Sequence, residues 1–335
     1  MILVSGGTGM VGAHLLFACA QKKLPIRALF RRKESLQKIE TLFKILAPDH
    51  PEYFSKIEWV QNEINDLLGL EAAFVGVKQV YHCAAKISFA QFHQNKLLKT
   101  NIDGTANMVN LSLKYKVEKF AYVSSIAALG AEQTIPLVNE NDFWNSDLNH
   151  TTYAYSKYGA ELEVWRASQE GLPVVIINPG IILGSHFWER SSGTLISKIA
   201  QGLRFYPTGN AAVVALEDVV NILVLLMESD HQNERYILVS ENISYKDLLS
   251  KIATVLGKKA PSIPLSKFLL YSLYIMDKTL YALGLKKSFL SQALIGSLCS
   301  EQKYDGSKIE KTLPYTYQKT DVTLKQISKD YKLYY

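Results

Sequence analysis

Short β-branched runs alternate with helical patterns through the first half of the chain, and this alternation limits the folds open to it. The predicted strands are Ile2–Val4, Pro25–Phe30, Lys56–Gln61, Gln79–Cys83, Phe120–Ser124 and Val174–Asn178. The predicted helices between them are Val11–Lys22, Glu34–Leu46, Leu67–Val75, Leu97–Tyr115 and Tyr153–Gln169. Strands this apolar, separated by helices, are typical of a parallel sheet buried on both faces. The sequence therefore predicts an α/β fold with a doubly wound parallel sheet.

The alternation breaks after Pro179, and the rest of the chain is organised differently. Residues Gly184–Asn210 are predicted to be an irregular insertion that binds substrate. Leu216–Met227 and Tyr236–Val239 resume the pattern as a helix and a final strand, whereas Tyr245–Tyr335 is mostly helical. The predicted sheet domain is therefore residues 1–180 plus 211–240. A smaller, mostly helical substrate domain is predicted from residues 181–210 plus 241–335.

Composition and charge narrow the class of protein. An apolar fraction of 48% over 335 residues excludes disorder, and three cysteines are too few for a disulfide scaffold. The charge of +6 is mild and the basic residues are scattered, so no nucleic-acid partner is expected. The longest apolar stretches span nine residues, well short of the ~20 that a membrane-spanning helix needs. Met1–Val4 lacks the basic start of a signal peptide, and a cytoplasmic protein is expected.

A glycine-rich turn, Ser5-Gly6-Gly7-Thr8-Gly9-Met10-Val11-Gly12, joins the first predicted strand to the first helix. The glycines at positions 6, 9 and 12 allow a tight turn, let a pyrophosphate reach bare backbone, and let the helix pack close to the strand. The helix N-terminus offers unpaired N–H groups and a positive dipole end to the phosphates. Because a strand precedes the turn and a helix follows it, the motif predicts a dinucleotide site. The expected cofactor contacts here are Gly6, Thr8, Gly9, Met10, Val11 and Gly12.

The end of the second strand indicates which dinucleotide binds. An acidic residue there suits the ribose 2′-hydroxyl of NAD, whereas arginine suits the 2′-phosphate of NADP. This chain has Arg31 and Arg32 at that point and no acidic residue before Glu34. NADP is therefore predicted, with Arg31 and Arg32 as its contacts and NAD as the alternative. The two arginines could also form an ordinary solvated loop.

A tyrosine and a lysine four residues apart suggest proton chemistry. Tyr153 and Lys157 fall on one face of the predicted helix. A nearby ammonium favours the phenolate, so the pair can exchange a proton with a substrate hydroxyl or carbonyl. Ser124 and Ser125 end the fifth predicted strand, where a hydroxyl can hold the substrate oxygen. Taken alone, the tyrosine and lysine could equally belong to an ordinary amphipathic helix.

The glycine turn, the strand-end serines and the tyrosine–lysine helix occur in the order typical of one family. With these motifs the chain resembles the extended short-chain dehydrogenase/reductase family, which includes NAD-dependent epimerases and dehydratases, well over residues 1–240 and loosely beyond. Further matching segments are Tyr81-His82-Cys83-Ala84-Ala85, Asn101-Ile102-Asp103-Gly104-Thr105, Asn62-Glu63-Ile64 and Glu217-Asp218-Val219. The family usually has Asp where Glu63 stands.

The resemblance implies a Rossmann domain and assigns roles to the matching positions. Ser125, by its register with Gly130, would hold the substrate oxygen, Tyr153 would transfer the proton, and Lys157 would also contact the nicotinamide ribose. The further cofactor contacts that it implies are Glu63, Ile64, Ala84, Ala85, Asn101, Pro179 and Gly180.

The strand ends also indicate the branch of the family. Ser125-Ile126-Ala127 stands where dehydratases have Thr-Asp-Glu, so no carboxylate is available for water elimination. Asn178-Pro179 resembles the dihydroflavonol-reductase branch, whereas many epimerases have Arg-Pro there. An NADP-dependent oxidoreductase acting on the carbonyl or alcohol of a small, partly apolar substrate is therefore expected. A nucleotide-sugar epimerase and a non-catalytic NADP-binding regulatory or assembly protein are the alternatives.

Weaker signals complete the prediction. Lys86 and Trp188 are expected to contact the substrate; the alternatives are a solvated lysine and ordinary hydrophobic packing, respectively. No metal site is expected, because His82 and Cys83 lack a third ligand. Phe268–Leu285 is apolar around much of its circumference and is flanked by lysines at 258, 259, 267, 286 and 287. We expect it to be a lid or a subunit contact, and surface association with a membrane is the alternative. A homodimer is a further partner that the sequence leaves open.

Overall fold

Seven parallel strands form the central sheet of the computed structural model, which describes residues 1–88, 94–130, 136–190, 192–283, 285 and 290–334. The strands are β1 (Ile2–Ser5), β2 (Ile26–Phe30), β3 (Glu58–Gln61), β4 (Gln79–His82), β5 (Lys119–Val123), β6 (Val174–Pro179) and β10 (Glu234–Leu238). They lie in the order β10-β6-β5-β4-β1-β2-β3. Successive strands are added on one side of β1 up to β3 and on its other side from β4 onward, so the order reverses between β1 and β4. Ligands of such sheets bind at the carboxyl ends of the strands, beside that reversal. The predicted doubly wound parallel sheet is confirmed.

Helices cover both faces of this sheet, as its apolar strands require. One face packs against α1 (Met10–Gln21), α2 (Lys33–Leu46), α3 (Glu52–Ser55) and α9 (Leu216–Glu228). The other face packs against α4 (Leu67–Ala73), α6 (Gly104–Lys114) and α7 (Thr152–Gln169). A short helix, α5 (Gln94–Leu98), leads through a π-helical turn at Lys99–Asp103 into α6. All residues of β5 and β6 are buried, which explains why β6 is uncharged and mostly β-branched.

The second part of the molecule contains strands as well as helices. β7 (Ile181–Leu183), β9 (Asn210–Ala215) and β11 (Glu241–Ser244) form a three-stranded sheet, and β8 (Phe205–Pro207) pairs with β12 (Ile263–Leu265). Against the three-stranded sheet pack α8 (Gly193–Ala200), α10 (Tyr245–Leu256) and α14 (Thr320–Tyr334), which enclose a separate apolar core. The remaining helices are α11 (Lys267–Ala282), α12 (Gln292–Leu298) and α13 (Ser307–Thr312). The C-terminal region is predominantly helical, as predicted.

The expectation that Gly184–Asn210 is irregular is wrong. This stretch contains α8 and β8, and it ends where β9 begins. Helix α8 has only eight residues, too few to show a clear helical spacing of apolar residues in the sequence. It is stabilised by burying Ile196 and Ile199 in the second core. The proposed domain division stays a prediction. Strand β9, which that division assigns to the sheet domain, forms its hydrogen bonds with β7 and β11.

Across the described residues, no helix combines the length and hydrophobicity needed to cross a bilayer. Nor do three His, Cys, Asp or Glu side chains of those residues cluster in a way that could hold a metal ion.

Candidate active site

A cleft of about 1570 Å³ runs along the carboxyl ends of the parallel strands and continues into the second part of the molecule. The ends of β1, β2, β4, β5 and β6 all contribute to its wall. Pockets for a single small ligand usually measure about 300–1000 Å³. This cleft therefore has room for a cofactor and a substrate together.

The glycine turn forms one end of the cleft. Gly6 has a φ of +71°, and a side chain on it would come within 2.6 Å of the Ala84 backbone nitrogen after β4. A side chain on Gly12 would overlap the carbonyl oxygen of Gly6. These two close approaches require glycine, because any Cβ would separate the turn from α1 and from β4.

The turn also presents an anion-binding helix end to the cleft. Gly9 caps α1 without any side-chain hydrogen bond, and the first turn of the helix has no acidic residue. Every residue predicted from this motif lines the cleft: Gly6, Thr8, Gly9, Met10, Val11 and Gly12. Free N–H groups at the positive end of a helix suit a diphosphate. The turn therefore fits the pyrophosphate of a dinucleotide.

The two arginines after β2 differ in position. Arg31 lines the cleft, whereas Arg32 is exposed just before α2 and is outside the lining residues. The Arg31 guanidinium lies 3.9 Å from the Glu63 carboxylate, and the two side chains are 54% and 63% exposed. Exposed ion pairs of this kind stabilise a protein by at most about 1 kcal/mol, so Glu63 leaves Arg31 available to a competing anion. Glu63 and Ile64 line the cleft, and their contact with a cofactor stays a prediction.

Two predicted contacts, Asn101 and Lys86, are not among the residues that line the cleft. The Asn101 amide accepts a hydrogen bond from the Lys86 backbone N–H (2.7 Å), and it donates to the Lys86 carbonyl (3.0 Å) and to the Ser156 hydroxyl (2.9 Å). Asn101 is 1% exposed, so its polar atoms are committed inside the protein. The structure therefore gives Asn101 the role of holding the loop after β4 against α7. Ala84 and Ala85 of that loop do line the cleft.

His82 ties the strands beneath this loop together. Its ring nitrogens lie 2.6 Å from the Ser5 hydroxyl and 2.9 Å from the Thr105 hydroxyl. Burial, together with the nearby Lys157 charge, lowers the pKa of His82 to about 3. A neutral imidazole that bonds two hydroxyls is a structural link between β1, β4 and α6. It does not supply an acid or base to the cleft.

Ser125 and Tyr153 meet in the middle of the cleft. Ser125 follows β5, and its oxygen accepts a hydrogen bond from the Ala127 backbone N–H at 3.2 Å. Tyr153 is half-buried in the first turn of α7, which Thr151 caps by accepting from the Ala154 N–H. Burial raises the pKa of Tyr153, and its hydrogen bond with Ser125 opposes that rise. The phenol therefore stays protonated at neutral pH and can donate a proton.

Lys157 lies one turn further along α7 and is 2% exposed. Its ammonium donates to the Val123 carbonyl at 2.7 Å and sits 4.9 Å from the centre of the Tyr122 ring. Burial lowers the pKa of Lys157 to about 8, while the Glu161 carboxylate opposes this. The sequence predicts that Lys157 lowers the pKa of Tyr153. In the structure Lys157 instead bonds the backbone at the end of β5, and burial is the main influence on the pKa of Tyr153, which it raises.

The buried carboxylate of Glu161 anchors the backbone next to Ser125 and Lys157. Glu161 is 2% exposed and accepts hydrogen bonds from Ser124 (2.7 Å) and Asn178 (2.9 Å). Arg235 lies 3.3 Å from the same carboxylate. Asn178 also donates to the Ser125 carbonyl at 3.0 Å, which fixes the backbone that carries the Ser125 hydroxyl. This network was not recognised in the sequence, because its members are spread from residue 124 to residue 235.

The second half of the cleft has mixed walls. Aromatic and aliphatic side chains that line it are Phe187, Leu195, Leu203, Phe205, Leu249, Leu265 and Tyr271. Arg190, Lys198 and Lys267 also line it, whereas Arg204 does not. Pro179 and Gly180 stand where the two halves join. The wall formed by residues 292–298 carries no motif that could have been found in the sequence.

Trp188 packs inside the protein and does not line the cleft, as the alternative of ordinary hydrophobic packing predicts. Its side chain is 3% exposed and packs in the second core, with its ring 5.0 Å from the Tyr331 ring of α14. The neighbouring Phe187 faces the cleft instead. The alternation of side chains along this loop cannot be read from sequence, because the loop has no regular period.

Comparisons with known proteins agree on one family. A model described as the NAD dependent epimerase/dehydratase family matches residues 2–238. The chain is 29% identical to a putative dihydroflavonol 4-reductase of Synechocystis sp., over 91% of this chain and 87% of that protein. It is 25% identical to sterol demethylase protein B of Methylococcus capsulatus, over 83% of this chain and 81% of that protein.

Solved structures show the same fold. The crystal structure of gox2253 superposes with a TM-score of 0.83 at 24% identity, covering 100% of this chain and 98% of that one. The nucleoside-diphosphate-sugar epimerase PA4631 of Pseudomonas aeruginosa superposes with a TM-score of 0.77 at 23% identity, covering 99% and 97%.

Proposed function

The chain belongs to the NAD dependent epimerase/dehydratase family, and we propose that within it the protein is an NADP-dependent reductase of a carbonyl on a small, partly apolar substrate. It is an NAD(P)-dependent enzyme of the oxidoreductase or epimerase type, which argues against the non-catalytic alternative. The observation that carries the proposal is the hydrogen bond between Ser125 and Tyr153, beside buried Lys157. The reverse reaction, oxidation of the alcohol, uses the same groups.

The cofactor would lie along the first half of the cleft. The glycine turn and the N-terminus of α1 would hold its pyrophosphate, and Glu63 and Ile64 would border its adenine end. Ala84, Ala85, Pro179 and Gly180 would border the nicotinamide end, within reach of Lys157. When bound, the nicotinamide ring supplies or accepts the hydride.

The chain's own residues would handle the oxygen and its proton. The Ser125 and Tyr153 hydroxyls would hold the substrate carbonyl oxygen by hydrogen bonds. Tyr153, which burial keeps protonated at neutral pH, would then give its proton to that oxygen. Two positive fields would stabilise the phenolate that remains: the N-terminal end of α7 and the ammonium of Lys157.

Two observations favour a reductase over an epimerase. The second half of the cleft is walled largely by aromatic and aliphatic side chains, which suits an apolar substrate body. The relatives include proteins named as reductases, among them tetraketide alpha-pyrone reductase 2 of Arabidopsis thaliana, 26% identical over 78% of this chain. Nucleotide-sugar epimerase is the second candidate, because Arg190, Lys198 and Lys267 could receive a diphosphate.

The proposed chemistry is tested by removing one hydroxyl. Tyr153→Phe should lower the rate of NADPH oxidation by about 10²–10⁴, the usual contribution of a positioned acid or base. Affinity for NADPH should stay near normal, because Tyr153 holds the substrate oxygen. The assay uses a panel of aromatic and alicyclic aldehydes and ketones, with UDP-glucose tested in parallel for epimerisation.

Tyr155→Phe is the matched control, because Tyr155 lies on the same helix, is 41% exposed and does not line the cleft. It should retain full activity. Full activity of Tyr153→Phe, or an equal loss in both variants, would contradict the proposal. Turnover of UDP-glucose without any reductase activity would favour the epimerase.

The NADP preference depends on Arg31, which lines the cleft. A hydrogen bond between charged groups contributes about 1.5–3 kcal/mol, so Arg31→Ala should weaken NADP⁺ binding about tenfold or more while leaving NAD⁺ binding nearly unchanged. Arg32→Ala is the control and should alter neither, because Arg32 is outside the lining residues. Dissociation constants from calorimetric titration decide the matter. Equal affinities of the unaltered protein for NADP⁺ and NAD⁺ would contradict the proposed preference.

A further inference from the structure

Helix α11 turns an apolar face to solvent. Phe268, Leu269, Ile275 and Met276 are 84%, 36%, 65% and 51% exposed, and Leu283 just beyond the helix is 66% exposed. Their spacing places them on one side of the helix, together with the uncharged Ser272 and Thr279. The charged residues within α11 are Lys267, Asp277 and Lys278, which lie off this face by the same spacing.

This arrangement differs from that of an ordinary surface helix, because α11 is apolar on its exposed side as well. Such a helix buries its apolar side and exposes its polar side. In α11 the fully buried positions are Leu270 and Asp277, while the side away from the protein carries the large apolar residues. Contiguous exposed apolar surface of this kind marks an interaction site.

Positive charge is concentrated in the stretch of sequence that contains α11. Residues 257–300 contain six lysines and a single acidic residue, Asp277, so they carry +5 of the formal +6 of the whole chain. The lysines are Lys258, Lys259, Lys267, Lys278, Lys286 and Lys287. Lys286 and Lys287 lie outside the described residues. Because Asp277 is 3% exposed, it contributes little negative charge to the surface.

The exposed apolar surface adjoins the cleft. Ile263 and Phe205 are register partners in the two-stranded sheet that leads into α11, and they are 41% and 43% exposed. Phe205 also lines the cleft, as do Lys267 and Tyr271 in the first turns of α11. Whatever covers α11 therefore lies next to the substrate entrance.

We propose that α11 docks the protein on an anionic lipid surface. The face formed by Phe268, Leu269, Ile275, Met276 and Leu283 would enter the boundary between headgroups and acyl chains, and Lys258 and Lys259 would pair with lipid phosphates. A helix of 16 residues is about 24 Å long, shorter than the ~30 Å hydrocarbon core, so it lies in the plane of the surface. This proposal holds whichever reaction the cleft performs.

A second copy of the chain fits this face less well. A strip about 24 Å long and one helix wide offers roughly 250 Å², whereas a stable dimer buries about 800 Å² on each partner. A two-fold contact would also bring the lysine-rich segments of both copies to one interface, which is unfavourable. Anionic lipid complements both the apolar face and its charged border.

The test measures binding of the full chain to phosphatidylcholine vesicles with and without phosphatidylglycerol, by co-sedimentation. We expect binding to the anionic vesicles that weakens with salt, and little binding to the neutral ones. Phe268→Glu combined with Ile275→Glu should reduce binding at least tenfold. Leu68→Glu is the control, because Leu68 is 83% exposed on α4, far along the chain from this region.

The lysines are tested with equal changes of net charge. Lys258→Glu combined with Lys259→Glu should weaken vesicle binding about tenfold or more, because each lysine near an anionic surface strengthens the attraction to that surface. Lys325→Glu combined with Lys329→Glu, on exposed positions of α14, is the control and should have a much smaller effect. All altered side chains are exposed, and retained dinucleotide binding verifies that each variant is folded.

Three outcomes would overturn the proposal. The first is no binding to anionic vesicles, and the second is binding that the α11 variant leaves unchanged. The third is a dimer, detected by sedimentation velocity, that the α11 variant dissociates while vesicles bind nothing. That last result would show a second copy to be the occupant of this face.

Discussion

Two adjacent serines at the end of β5 have different partners. Ser125 bonds Tyr153 in the cleft, whereas Ser124 donates to the buried Glu161 carboxylate. Consecutive residues of an extended chain point in opposite directions, so one hydroxyl reaches the cleft and the other reaches the interior. Glu161 is thus connected to the site through Ser124 and through Asn178, and its charge also acts on Lys157.

The charge of Glu161 should therefore set the pH range of the reaction. Lys157 has a pKa of about 8, and the Glu161 carboxylate holds that pKa up against the effect of burial. If catalysis needs the ammonium, the reductase rate falls as pH rises through the pKa of Lys157. Glu161→Gln removes the opposing charge, so the pKa of Lys157 falls and the decline in rate moves to lower pH. The measurement is the pH dependence of kcat/KM.

Glu163→Gln is the matched control. Glu163 lies on the same helix, pairs with Arg166 and is 30% exposed. Its substitution should leave the pH profile in place. A Glu161→Gln profile that loses amplitude without moving along the pH axis would mean that Glu161 acts only as a structural support.

At the scale of elements, the end of the chain closes the second core. Helix α14 packs against α10 and the three-stranded sheet, and it buries Leu324 and Ile327 there. None of the residues that line the cleft belongs to α14. The helix therefore supports the second core without lining the cleft.

We expect Ile327→Ala to lower the free energy of unfolding by about 2–5 kcal/mol, as for other buried large-to-small substitutions. NADP⁺ affinity of the folded protein should stay within a few-fold of normal, because the cofactor half of the cleft is formed by other elements. Leu333→Ala, at an 88% exposed position of the same helix, should have little effect. Urea unfolding and calorimetric titration give the two quantities. A cofactor affinity that falls together with stability would show that the two halves are coupled.

At the scale of the whole molecule, separate stretches of the chain line the second half of the cleft, and the division into two domains stays a prediction. Residues 181–210 and the segment after 241 meet beside the carboxyl ends of the parallel strands, and the cleft runs between them and the sheet. The family model ends at residue 238, so the C-terminal wall of the cleft lies outside the matched part. That wall also contains the start of α11, which links the cleft to the proposed lipid-binding face.

Local patterns in the sequence were sufficient for the sheet and for the family. The strands of the central sheet have an apolar run and the longer helices an apolar period, because each has to bury its own face. The glycine turn was recognisable for a similar reason, since the close approaches of Gly6 and Gly12 admit only glycine. Tyr153 and Lys157 were found together because helical spacing alone puts them on one face.

Only the tertiary structure decided the position and surroundings of side chains whose neighbours are distant in the chain. It turned Asn101 towards the Lys86 backbone, placed Trp188 in the second core, and separated Arg31 from Arg32 at the cleft. It also buried Lys157 beside Glu161 and exposed the apolar face of α11. Burial, pKa and access to a ligand are set by the atoms that surround a side chain in three dimensions, and most of those atoms belong to residues far away in the sequence.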